Sequence, residues 1–245
     1  MTGGEPLQLP KYWQFLEGIP EEHAKNIIVS QDSNLTNIHY KNKSIMDVAH
    51  KFKKFHVGVS VDHYGDKLSY MRYPIDVEKF EYNLREISEY NLSWLEEPLP
   101  VDRPNDEWRK LHEIGTTPLA GGENVMGVQG FNSLLSEGVL DVIQPDLAKW
   151  GGLTKTIPVA QKILSSRKSY CPHYLGGGVG LVASAHALAA VGGNGMLEVD
   201  FNNNPLRSLI IDPMLDKSSG SMELGKGYGL GIEFDFKQIE EFRVL

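Results

Sequence analysis

Six polar side chains each close a short apolar run: Asp62, Glu96, Glu123, Asp146, His173 and Glu198. Asp62, Glu96 and Glu123 come from consecutive runs and together would form a triply negative, all-oxygen site. Hard oxygen donors in that number favour Mg²⁺, which keeps positions open for water or substrate. No cysteine or histidine lies among the three positions, which argues against zinc. Each acid alone also reads as an ion pair to a neighbouring lysine, Asp62 in particular.

Asp146 and His173 end two successive runs, so neighbouring strands would bring them together. A carboxylate on one imidazole nitrogen fixes the tautomer and raises the basicity of the ring, leaving the other nitrogen as general base or acid. Pro172 before His173, and Gly176, Gly177, Gly178 and Gly180 after it, suggest a loop open to ligand. Glu198 would polarise or protonate a bound carboxylate if its surroundings raise its pKa. Lys149 lies three residues past Asp146 and reads as a loop or helix-entry charge.

The elements that must position these groups alternate. Trp94-Leu95-Glu96-Glu97-Pro98 reads as a buried strand that delivers carboxylates at its C-terminal end and is stopped by proline. Val57–Asp62, Pro118–Glu123, Val142–Asp146, Ser169–His173 and Met196–Asp200 read as further strands. Between them, apolar residues at helical spacing predict helices: Val77, Phe80, Leu84 and Ile87; then Trp108, Leu111 and Ile114 capped by Asn105 or Asp106; then Phe131, Leu134 and Leu135 closed by Gly138. Thr154 is placed to cap a helix with Ile157, Ala160 and Leu164, and Leu181–Val191 reads as an alanine-rich helix.

The six groups recur about every 23 to 34 residues, close to one strand plus its return helix. That period places them on one rim of an α/β, TIM-type barrel over residues 51–245. Residues 1–50 read as an irregular lead carrying possible remnants of the first barrel strands: a short helix around Tyr12–Leu16, strands at 26–30 and 37–40, and a helix from Ile45 to Phe55.

The whole chain sets outer bounds. A net charge of −8 over 245 residues argues against nucleic acid or an anionic membrane as partner. The single cysteine, Cys171, excludes an intramolecular disulfide framework and suits a reducing compartment. No basic-then-apolar leader and no bilayer-length apolar run is evident, so the expectation is a soluble, cytoplasmic protein, with homo-oligomerisation open.

On these stretches the chain resembles the barrel domain of the enolase superfamily, in its mandelate racemase and muconate lactonizing branch. The matching segments are Val61-Asp62, Trp94–Pro98, Gly122-Glu123-Asn124, Gln144-Pro145-Asp146 followed by Gly151-Gly152, Cys171-Pro172-His173, Leu197-Glu198 and the tail Gly227–Ile232. The resemblance covers about residues 55–235 and implies Mg²⁺ held by Asp62, Glu96 and Glu123, a base dyad of Asp146 and His173, and Glu198 on the substrate carboxylate. It implies removal of the proton α to a carboxylate, with the metal stabilising the enediolate.

Residues Glu198–Arg207 resemble the acid-sugar dehydratase members, so elimination of water from a sugar acid is the implied reaction. Racemase, epimerase or cycloisomerase chemistry is the neighbouring alternative, and a truncated barrel that binds only metal is another. Departures exist. Residues 1–50 are too few for the family's capping domain, and Tyr64 stands where many members have asparagine. Lys41-Asn42-Lys43 has the spacing of a family lysine pair but falls too close to Asp62, and these lysines read as solvated charges.

Overall fold

The computed structural model describes residues 6–33, 35–59, 76–89, 92–99, 103–200, 202–212, 214–216, 219–232 and 236–243. Asp62 and Tyr64 lie outside them. The chain divides into two compact units, Met1–Gly121 and Gly122–Leu245.

In the first unit the short early helix spans Pro10–Gly18, with proline in its first turn, and buries Tyr12, Trp13 and Leu16. Strand Ile28–Ser33 pairs in parallel with Lys54–Val59, Ile28 opposite Lys54 and Phe55 opposite Val29. The strand expected at 37–40 shortens to His39–Tyr40, which forms a tight antiparallel hairpin with Lys43–Ser44. Lys41, at its turn, adopts a left-handed φ of 56°.

The helix expected from Ile45 to Phe55 stops at Ala49. Ser44 and Asp47 start it with a reciprocal capping box. Its end is fixed by the Lys53 amide, which donates to Ala24 O at 3.2 Å and Ile27 O at 3.0 Å and redirects the chain into the next strand.

Helix Val77–Ser88 is capped by the Asp76 side chain and buries Phe80, Leu84 and Ile87 on one face, as their spacing predicts. Each such side chain contributes about 1.5–3 kcal/mol when fully buried. Strands Leu95–Glu96 and Leu119–Gly121 run parallel, with Glu96 opposite Ala120. Between them lies helix Asn105–Ile114, burying Trp108, Leu111 and Ile114. Its cap position falls on Pro104 rather than Asn105 or Asp106 and has no side-chain bond, since those two residues already lie inside the first turn.

In the second unit helix Gly127–Glu137 ends at Gly138, whose φ of 71° places it in the left-handed region that glycine reaches without strain. Strands Val142–Ile143 and Ser169–Tyr170 are parallel, with Ile143 opposite Tyr170. Helix Gly152–Ser165 connects them and packs Val159, Ala160 and Ile163 inward. The residue before its first turn is Gly151, at φ 79°, which places Thr154 inside the helix instead of at its cap.

Helix Gly178–Val191 is apolar around its whole circumference and buries Leu181, Val182, Ala183, Ser184, Ala185 and Ala187, the pattern of a helix enclosed on several sides. Leu181 and Val182 pack with Ile210 and Ile211 of helix Pro205–Ile211. Met196–Asp200, whose composition predicts the last strand, forms no ladder. The chain instead passes so close to the preceding strand that a Cβ on Gly195 would fall 1.8 Å from Tyr170 O. The Met196 amide then donates to Cys171 Sγ at 3.3 Å.

Candidate active site

The parallel register of the second unit decides where its polar groups fall. Ile143 lies opposite Tyr170, and Asp146 and His173 each follow three residues later. Equal offsets from a paired position bring the two side chains to the same level, and His173 Nδ1 donates to Asp146 Oδ2 at 2.8 Å. The other Asp146 oxygen accepts the backbone N–H groups of Ala148 at 2.7 Å and Lys149 at 3.0 Å. A carboxylate held by three donors has one orientation, so it fixes the plane of the ring. Both residues are buried, His173 at 2% exposure.

The second ring nitrogen also faces carboxylate. Nε2 lies 2.9 Å from Glu123 Oε2 and 3.9 Å from Glu198 Oε2. It makes no aligned hydrogen bond, so the Glu123 contact is an ion pair set off the N–H direction. Glu198 Oε2 accepts the Tyr174 amide at 3.3 Å, which ties it to the residue after the histidine. The other Glu123 oxygen, Oε1, receives Lys149 Nζ at 2.9 Å and Asn124 Nδ2 at 3.2 Å.

These contacts shift the titrations in one direction. Burial alone would lower the His173 pKa, but the hydrogen bond to Asp146, the close Glu123 carboxylate and the nearby Glu198 charge override it and raise it to about 10. His173, and behind it Lys149, hold Glu123 down to about 2 although partial burial opposes this. Asp146 is lowered too: burial opposes the shift, and His173 with the two backbone amides outweighs burial. At neutral pH the ring is therefore an imidazolium among carboxylates, the proton-donating form of the pair.

The site thus joins Glu123, Asp146, His173 and Glu198, all in the second unit. Glu96 belongs to the first unit, where its Oε2 accepts Trp94 Nε1–H at 2.8 Å. The following residue, Glu97, has a left-handed φ of 35° and donates its amide to Ala120 O at 2.9 Å. Asp62 is outside the described residues. Among the described residues no group of three or more His, Cys, Asp or Glu side chains is arranged to hold a metal ion. The donor chemistry nonetheless fits a hard cation at Glu123: an ionised carboxylate, partly open to solvent, that already faces an ammonium group.

The profile of one family, described as enolase C-terminal domain-like, matches residues 71–239. The chain belongs to that family. It is 29% identical over 163 residues to a D-galactarolactone cycloisomerase of Agrobacterium fabrum, covering 63% of this chain and 43% of that protein. It is 30% identical over 162 residues to a D-xylonate dehydratase of Haloferax volcanii, covering 65% and 38%.

Among solved structures, a mandelate racemase/muconate lactonizing enzyme from Bordetella bronchiseptica RB50 matches with a TM-score of 0.61 and 32% identity, over 94% of this chain and 67% of that one. The fold is the α/β, TIM-type barrel architecture of this enolase-like family. The chain spans about two fifths of the length of the two curated relatives.

Three further residues take part in this cluster. Lys149 is no bystander at a helix entry: its amide holds Asp146 and its ammonium holds Glu123. The three-residue spacing carries the backbone link to Asp146, whereas the ammonium reaches a carboxylate from an earlier strand end. Asn124 flanks Glu123, and its Oδ1 receives Lys149 Nζ at 3.3 Å. Tyr174 explains two of the glycines after His173. Its ring and phenol oxygen fill the space that a Cβ on Gly176 or Gly180 would occupy. Gly176 and Gly180 therefore make room for an aromatic ring, and Gly178 makes room for Ile210.

Proposed function

We propose that this chain carries the catalytic machinery of a Mg²⁺-dependent hydro-lyase acting on a sugar acid. The observation that supports it most directly is the Asp146–His173 pair with Glu123 and Glu198 at the far ring nitrogen. The curated relatives, named as sugar-acid dehydratases and a cycloisomerase, point to the same substrate class.

In this reading Asp62, Glu96 and Glu123 hold the cation. When bound, Mg²⁺ supplies Lewis-acid stabilisation of negative charge on the substrate carboxylate oxygens. Asp146 keeps the His173 proton on Nδ1 and aims Nε2 at the α-carbon. Neutral Nε2 removes the α-proton, the C–H bond breaking as its electron pair moves toward the carboxylate. The resulting imidazolium returns a proton to the β-hydroxyl as the C–O bond breaks. Water leaves, and the enol rearranges to a 2-keto-3-deoxy acid. Glu198, 3.9 Å from Nε2, orients the substrate carboxylate. The carboxylates around the ring favour its protonated form, which suits the second step and makes the first the harder one.

The test is solvent deuterium incorporation at the α-carbon across a panel of sugar acids, with Mg²⁺ and after chelation. Exchange that requires Mg²⁺ and disappears in His173→Ala supports the reading. Exchange that survives either change overturns it. No exchange on any acid, from protein with native circular dichroism, favours a barrel that binds without turnover. The cycloisomerase relative gives a second reading, in which a lactone is isomerised with no loss of water. Product mass separates the two.

A further inference from the structure

Glu123 carries two cationic neighbours and has one oxygen for each. Oε2 faces His173 Nε2 at 2.9 Å, and Oε1 receives Lys149 Nζ at 2.9 Å. Any cation that enters at this carboxylate competes with both of them for its negative charge. They differ in how firmly they are held. His173 is 2% exposed and is anchored through Nδ1 to Asp146, so its ring has no room to withdraw.

Lys149 presents a side chain 35% exposed at the edge of the same carboxylate. Its amide donates to Asp146 Oδ1 at 3.0 Å, which fixes the backbone while four methylenes remain free to swing. Its ammonium also touches Asn124 Oδ1 at 3.3 Å, so two oxygens of neighbouring residues already receive one positive charge.

We propose that the Lys149 ammonium is a displaceable counter-cation for Glu123, a positioning residue that competes with a divalent cation for that carboxylate. The lysine thereby sets how much metal the site requires. Its charge lies one hydrogen bond from the ligand oxygen, where a unit charge is worth about tenfold or more in the affinity of an incoming cation. The backbone anchor lets the swap occur without loosening Asp146 and the ring it orients. The inference depends on Glu123 being a metal ligand, as in the proposed function.

The experiment is direct titration of Mn²⁺ into the full chain, followed by electron paramagnetic resonance of free Mn²⁺, for the wild type, Lys149→Gln, Lys149→Arg and Glu123→Gln. Circular dichroism verifies each fold. The expected result is binding about tenfold tighter in Lys149→Gln, close to wild type in Lys149→Arg, and at least about tenfold weaker in Glu123→Gln.

Unchanged or weaker binding in Lys149→Gln, with the loss in Glu123→Gln intact, overturns the counter-cation and leaves Glu123 as a ligand. Lys149→Arg binding as tightly as Lys149→Gln also overturns it, because charge is then not the cause. Undiminished binding in Glu123→Gln, or none in any variant, overturns both the inference and the ligand assignment beneath it.

Discussion

Two lysine–glutamate pairs of similar length stand in the two units and behave differently. Lys43 Nζ meets Glu17 Oε1 at 2.7 Å in the first unit, between the early hairpin and the early helix. Lys149 Nζ meets Glu123 Oε1 at 2.9 Å in the second. The first is the tighter by distance, yet Lys43 is 58% exposed, and water competes for both partners. Glu123 has a second cation on its other oxygen, a buried imidazolium itself pinned by Asp146. Length therefore says little about what an ion pair does. What matters is how many charges share the carboxylate and whether solvent reaches them.

The largest effects should come from the ring at the centre of the second pair. His173→Ala is expected to lower α-proton exchange by about 10²–10⁴-fold, the range for losing a general acid–base group. Asp146→Asn should fall nearly as far. An asparagine that keeps accepting the Ala148 and Lys149 amides through oxygen turns its NH₂ toward Nδ1. Nδ1 must then accept, the ring proton moves to Nε2, and the neutral base is lost. Native circular dichroism together with full exchange in Asp146→Asn would break this account.

Next comes pH, and here the two pairs should part clearly. With a folded pKa near 10, against about 6.5 for an ordinary histidine, His173 favours the folded state fully below about 6.5. That contribution fades as pH rises through 10. Glu123 has the opposite sign: lowered from 4.5 to about 2, it stabilises above 4.5, and the gain disappears as pH falls through 2. Melting temperature should therefore plateau between about pH 4.5 and 6.5 and decline on either side. Replacing His173 with Gln should flatten the alkaline decline. An alkaline decline as steep in His173→Gln as in the wild type contradicts the site's charge arrangement.

The sequence showed the site residues more clearly than the elements carrying them. Glu123, Asp146, His173 and Glu198 are polar groups closing apolar runs, and the first three follow paired parallel strands. The Asp146–His173 contact follows from equal offsets to a parallel pair. Boundaries were less legible because they depend on backbone bonds between distant segments. Nothing local says that Ala24 and Ile27 will take the Lys53 amide and end a helix at Ala49. Met196–Asp200 has a strand's composition, but close approach at Gly195 replaces a ladder. The lysines were legible in part. Lys43 is solvated as its surroundings suggest, whereas Lys149 acquires its partner from a different β/α step and could not be paired by inspection of its neighbours.

The smallest effect should come from the first pair, and its smallness is what sharpens the contrast. In Lys43→Gln the Glu17 carboxylate loses its main partner, which holds its pKa below the ordinary range. Water replaces that partner at once, because both side chains are already solvated. Melting temperature and Mn²⁺ affinity should both stay at wild-type values within error, at low salt and at high. Lys149→Gln, measured in parallel, should change Mn²⁺ affinity by about tenfold. If Lys43→Gln shifts metal affinity as far as Lys149→Gln does, the cause is the protein's overall charge and not a lysine seated on a particular oxygen. The net charge of −8 makes that control necessary, since removing any cation strengthens the general attraction for Mn²⁺.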